Sequence, residues 1–139
     1  MIIDYNLQVS NEQAVTATAA STDVIDFGQA TPTTGLNPLM HMVIGVDEAA
    51  TAAGAATVVF AIQDSADNST FADVAATAAI GKAALGLGQQ IVIPMPTTHR
   101  RYLRVNYTVA TGPLTAGKFS AQVVTGFNQN NAFPDSPRI

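Results

Sequence analysis

The chain has 139 residues, of which 47% are hydrophobic and only 12% charged, with a formal net charge of −4 and no cysteine. That length suits one domain with a real core. The diffuse acidity excludes a general nucleic-acid binder, which needs a basic stripe to displace counterions, and the missing cysteines exclude disulfides, thiolate catalysis and cysteine zinc sites.

In chain order, the opening MIIDYNLQV has neither a basic n-region nor a long apolar run, so a soluble protein made in a cytoplasm is expected, with no membrane span. YNLQV (5–9) reads as a first short strand and TDVIDF (22–27) as another. Over 39–46, Met40, Met42, Ile44 and Val46 share one face while Leu39, His41 and Val43 share the other, predicting a strand covered on both sides. DEAATAAGAAT (47–57) is alanine-rich, yet Gly54 interrupts it and no apolar stripe develops, so it reads as a loop. In 57–63, Val58, Phe60 and Ile62 point inward, with Thr57 and Gln63 outward.

DVAATAAIGKAALGLG (73–88) is again alanine-rich and broken by Gly81; it reads as a loop with room for a short helix in 75–87. QQIVIPM (89–95) is a strand whose Pro94 belongs at an end or an edge, because proline cannot donate to a ladder. The clearest alternation follows. Leu103, Val105, Tyr107 and Val109 take one face of 102–109, and Phe119, Ala121 and Val123 one face of 118–123. With Gly112-Pro113 between them, these runs read as a hairpin of half-buried antiparallel strands. Short strands punctuated by glycine and proline predict an all-β, single-domain antiparallel sandwich or barrel. The proline-containing end, NQNNAFPDSPRI (128–139), reads as an extended arm.

Reactive side chains are sparse. His41 and His99 are the two histidines, with no HExxH or other compact ligand set around them, and His41 sits in an apolar strand as a packed histidine would. His99, Arg100 and Arg101 start a strand; they suit either a grip on a carboxylate or phosphate or a solvated strand start. Asp64, Asp67 and Asn68 in DSADNST supply oxygens that calcium favours, but without the spacing of an EF-hand loop they read as a turn. No nucleophile elbow or phosphate loop occurs, and nothing marks the carboxylates Asp4, Glu12, Asp23 and Asp26 as a pair. An enzyme is not expected, nor a cofactor, a metal, a small-molecule substrate or a nucleic-acid partner.

Several phrases carry a resemblance: ATVVFAIQDSADNSTFADV (56–74), PMPTTHRRYLRVNYTVATGPLTAGKFSAQVV (94–124), the start at 1–28, and FPDSPRI near the end. Together they resemble the capsid cement (decoration) proteins of tailed phages, of the type found in Bordetella phage. The resemblance implies a jelly-roll-like sandwich with extended arms, 1–12 and 128–139, on the outer surface of a virion. It implies binding to a major capsid protein and self-association as a homodimer or homotrimer. The residues expected at capsid or oligomer contacts are Asp4, Tyr5 and Asn6 in the first arm, His99, Arg100 and Arg101, and Phe133 and Arg138 in the last. A low-charge surface has few ions to desolvate on contact with another protein. The alternative is a virion appendage recognising a host glycan or receptor. The lack of tryptophan disfavours glycan binding, which usually uses aromatic platforms.

Overall fold

A computed structural model describes residues 2–34 and 39–126. Ten strands lie among them: β1 Gln8–Ala14, β2 Ala19–Ala20, β3 Ile25–Asp26, β4 His41–Thr51, β5 Thr57–Ser65, β6 Ala72–Ala76, β7 Ile80–Gly81, β8 Gln90–Pro94, β9 Tyr102–Ala110 and β10 Ala116–Val124. They form two antiparallel sheets. The first has the order β1-β10-β4-β8; in the second, β9 and β5 are central, with β2 and β3 on the free side of β9 and β6 and β7 on the free side of β5. Taking β2 with β3 and β6 with β7 as broken strands leaves eight positions. First pairs with last, second with seventh, third with sixth and fourth with fifth. That nesting is one long hairpin rolled into a sandwich, the jelly roll.

The core lies between the sheets and follows the two-residue period. Val58, Phe60 and Ile62 of β5 and Leu103, Val105 and Tyr107 of β9 are fully buried, facing Met42 and Ile44 of β4 and Phe119, Ala121 and Val123 of β10. Each large side chain of this set contributes roughly 1.5–3 kcal/mol by leaving water. Tyr107 stacks on Phe119 at 5.7 Å between centroids, and Phe60 meets both edge-on, at 5.8 and 5.3 Å. The Tyr107 hydroxyl crosses the sandwich to donate to Ser10 Oγ of β1 at 2.7 Å. Burial pushes that phenol up to about 12, the Ser10 bond opposing it and the Asp47 charge adding to it.

The expected hairpin over 102–125 is not one. Its strands fall where the alternation puts them, but β9 pairs with β5, β2 and β3, and β10 with β1 and β4. The Gly-Pro loop therefore crosses from one sheet to the other. Thr111 (φ 61°) and Gly112 (φ 100°) turn the chain, Leu114 is buried, and Leu114 and Thr115 donate their N–H groups to Thr16 O and Thr51 O. Alternation reports which face of a strand is buried; it carries no information on which strand lies alongside.

The alanine-rich segments also differ from expectation. β4 runs on to Thr51, through half of the segment read as a loop. The 73–88 stretch holds most of β6, all of β7 and only a 3-10 turn at Lys82–Ala84 where a short helix had room. Alanine's helix preference is small per residue, and pairing with β5 outweighs it. At the start, Tyr5–Leu7 is a 3-10 turn and the strand begins at Gln8. Of the segment 1–12 expected as an arm, Gln8 to Glu12 thus belong to a sheet. In 22–27 only Ile25–Asp26 pair. Pro94 closes β8, an edge strand, as expected. Val43, on the outward face of β4, is fully buried, whereas Leu39 before it is exposed. The segment 128–139 lies outside the described residues.

Candidate functional site

The three basic residues before β9 are engaged inside the molecule. His99 is buried; its ring contacts Arg100 O at 2.7 Å and Thr34 Oγ1 at 3.0 Å, and meets Phe27 edge-on at 4.7 Å. Arg100 clasps Asp64 at the end of β5: its backbone N–H donates to Oδ2 at 2.8 Å and its Nε to Oδ1 at 2.9 Å, while one terminal nitrogen reaches the Asp64 carbonyl at 2.7 Å. Burial alone would raise the Asp64 carboxyl, but the Arg100 side-chain and backbone hydrogen bonds outweigh it and hold the group below its ordinary value. Arg101 makes a two-pronged pair with Asp26 of β3, at 2.7 and 2.9 Å. These bonds, with the Gly28 N–H, hold the Asp26 carboxyl down at about 2.

Asp67 accepts from Ser65 Oγ and from the Ser69 and Thr70 N–H groups, which lower its carboxyl, and Asn68 takes a left-handed φ of 59°. DSADNST is therefore a turn organised by its own aspartate. Asp4 caps the turn at Tyr5–Leu7 by accepting from the Asn6 N–H at 2.9 Å. Tyr5 is 85% exposed and Ile2 94%. Phe133 and Arg138 lie outside the described residues.

A second feature sits on the outward face of the four-stranded sheet. Gly45 of β4 and Ser120 of β10 are register partners, and so are Gln8 of β1 and Gln122 of β10. Because Gly45 has no side chain, a trench of about 350 Å³ opens here, lined also by Glu12, Asp47 and Gln90. A bulge in β1 gives Glu12 a φ of 46° and turns its N–H onto Ser120 Oγ at 2.9 Å, while the same hydroxyl donates to Asp47 Oδ2 at 2.6 Å. Ile3 closes one margin, and Gly88, next to the exposed Leu87, lies on another. Chemically this is a small trough of amide and acidic side chains with Ile3 at one margin.

Of the expected contact residues, the structure brings His99, Arg100 and Arg101 to one end of the sandwich but pairs them internally, and leaves Tyr5 free to be touched. The trough was not anticipated. Its residues come from β1, β4, β8 and β10, and the local signal for it is slight: a glycine inside the apolar run MHMVIGV.

The Bbp16 family matches residues 9–123, most of the chain, which thus belongs to that family of Bordetella phage proteins. Among curated proteins none matches it.

Proposed function

From membership of the Bbp16 family we propose that the chain is a structural protein of the phage particle, one that docks on the outside of the capsid and cements neighbouring major capsid proteins. The observation that carries the reading is the exposure of Ile2 and Tyr5 ahead of β1, at 94% and 85%. With Ile3 also exposed, the segment just before β1 presents several apolar side chains close together, which suits burial against another protein. The reading assigns the protein a binding role and no catalytic one. Its physics is linkage: a protein that binds the assembled lattice and not loose subunits stabilises the lattice. Self-association as a dimer or trimer would multiply the contacts each assembly makes on a repeating shell.

The test is rebinding to capsid shells stripped of this protein, read by co-sedimentation and shell melting. Saturable rebinding that raises the melting temperature supports the proposal; a protein that ignores the shells defeats it. The Ile2→Ser, Tyr5→Ser pair should weaken binding by roughly a hundredfold or more, since two large apolar side chains are no longer buried. Substitution is preferable to deletion because Leu7 packs against the core and β1 starts at Gln8.

A further inference from the structure

We propose that the sandwich docks by one end, the end at which β1 and β4 begin and β8 and β10 finish, and that it meets there an apolar patch rimmed with lysine or arginine on the partner protein. The inference rests on the docking reading for there being a partner, and on the strand register for which end meets it.

The register fixes what gathers at that end. Gln8 opens β1 opposite Gln122, near the end of β10. His41 opens β4 opposite Val124 and Pro94, the last residues of β10 and β8. The Asp23 N–H donates to Val9 O at 2.9 Å, which ties the approach to β3 to the start of β1. Leu39, just ahead of β4, and Val24, just ahead of β3, therefore share this end with Ile2, Ile3 and Tyr5, which precede β1. These are five of the seven exposed large apolar side chains among the described residues, so exposed apolar surface concentrates at one end although it comes from separate parts of the chain. The other two, Val74 and Leu87, lie elsewhere, on β6 and ahead of β8.

The opposite end differs in kind. Its connections, 15–18, 52–56, 77–79 and 111–115, carry no charged residue, and they expose alanine, threonine, glycine and Pro113 while Val15 and Leu114 are buried. Interfaces draw most of their energy from a few large side chains that fill pockets on the partner. The end at which β1 begins offers such side chains, and the opposite end offers none.

Charge sets the rim. His99, Arg100 and Arg101 lie at the docking end, but Asp64 and Asp26 neutralise the two arginines, which add no net charge to it. Asp4 and Asp23 flank the start of β1; both are exposed, and the ion pairs among the described residues include neither. An interface has an apolar centre and a polar rim, and the rim complementary to these two carboxylates is positive.

The chain has no cysteine, so a single one can be placed at either end and blocked. Leu39→Cys and Ala53→Cys, both at exposed positions, are each coupled to a maleimide-linked poly(ethylene glycol), and rebinding to stripped shells is read by co-sedimentation. The polymer at position 39 should weaken rebinding by about tenfold or more, and the polymer at position 53 should leave it unchanged. Two unlabelled variants, each checked for an unchanged far-UV circular dichroism spectrum, separate the apolar part from the charged one. Val24→Ser with Leu39→Ser should weaken rebinding about tenfold. Asp4→Asn with Asp23→Asn, which keeps a side chain able to cap Tyr5–Leu7, should weaken it about threefold at low salt and leave it unchanged at high salt, where screening removes the attraction. A polymer at position 53 that blocks rebinding, a polymer at position 39 that does not, or full rebinding by the Val24→Ser, Leu39→Ser pair would each overturn the end-on assignment. Undiminished or tighter rebinding by the asparagine pair at low salt would overturn the basic rim. Wild-type protein that ignores the shells defeats the docking reading itself, and this end then has no partner to meet.

Discussion

Asp64→Ala tests whether the clasp between β5 and the start of β9 holds the end of the sandwich together. The Asp64 side chain is only 6% exposed, and its oxygens receive the Arg100 backbone N–H at 2.8 Å and Nε at 2.9 Å. Truncation leaves the backbone N–H without its acceptor, a loss of about 1.5–3 kcal/mol for a bond to a charged group. The guanidinium loses less, about 1 kcal/mol, because Arg100 is 40% exposed and can turn to water. The bond from Arg100 to the Asp64 carbonyl survives the change. The expected destabilisation is about 3 kcal/mol, at the low end of the roughly 3–5 kcal/mol for breaking a wholly buried pair, and near a 10 °C fall in Tm. With no tryptophan in the chain, urea unfolding followed by far-UV circular dichroism is the assay. Acid supplies a second check. The Asp64 carboxyl is held low in the folded state, so the unfolded chain takes up the proton first. Its stabilisation is complete above the unfolded value of about 4 and lost as pH falls through the folded one. The gap between wild type and Asp64→Ala should therefore close in acid. A gap under about 1 kcal/mol at pH 7, or one unchanged by acid, would refute the reasoning.

Two further outcomes follow from the backbone and the core. Spectrophotometric titration should show one of the three tyrosines ionising only near pH 12, and Tyr107→Phe should remove that late step while costing about 1 kcal/mol for the lost bond to Ser10; a late step that persists in Tyr107→Phe contradicts the assignment. Thr111→Gly should raise stability by about 1 kcal/mol, because a β-branched residue at φ 61° is strained and the site is exposed; a fall in urea midpoint would show that the threonine conformation is supported by contacts.

How much of this was legible beforehand depends on whether the information is local. The inward faces of β5, β9 and β10 could be read from Val58-Phe60-Ile62, Leu103-Val105-Tyr107 and Phe119-Ala121-Val123, because burial on one side of a strand imposes a period of two. The partners could not, and so two runs joined by Gly112-Pro113 looked like a hairpin when they belong to opposite sheets. The pairing of β1 with β10 joins residues more than a hundred apart, and no window of sequence contains both. The same limit hid the trough, whose Glu12, Gly45 and Gln122 are brought together only by that pairing. His99, Arg100 and Arg101 were conspicuous as a run of positive charge, but their acids, Asp64 and Asp26, approach from other strands. A charge cluster seen in one dimension says nothing of whether it is already neutralised in three.

Because β10 lies between β1 and β4, the last of the described strands to leave the ribosome is the one that completes the first sheet. Until it emerges, β1 has no neighbour in that sheet, β4 has only β8, and Phe60 and Tyr107 lack the ring that closes on them. Closure of that sheet must wait for β10 to emerge, and pairing of such distant segments is slow, in the millisecond-to-second range of long-range β topologies. In that interval the nascent chain shows open strand edges, the form in which β proteins associate wrongly. A chain stopped anywhere before Ala116 is not a shortened version of this protein but an unclosed one.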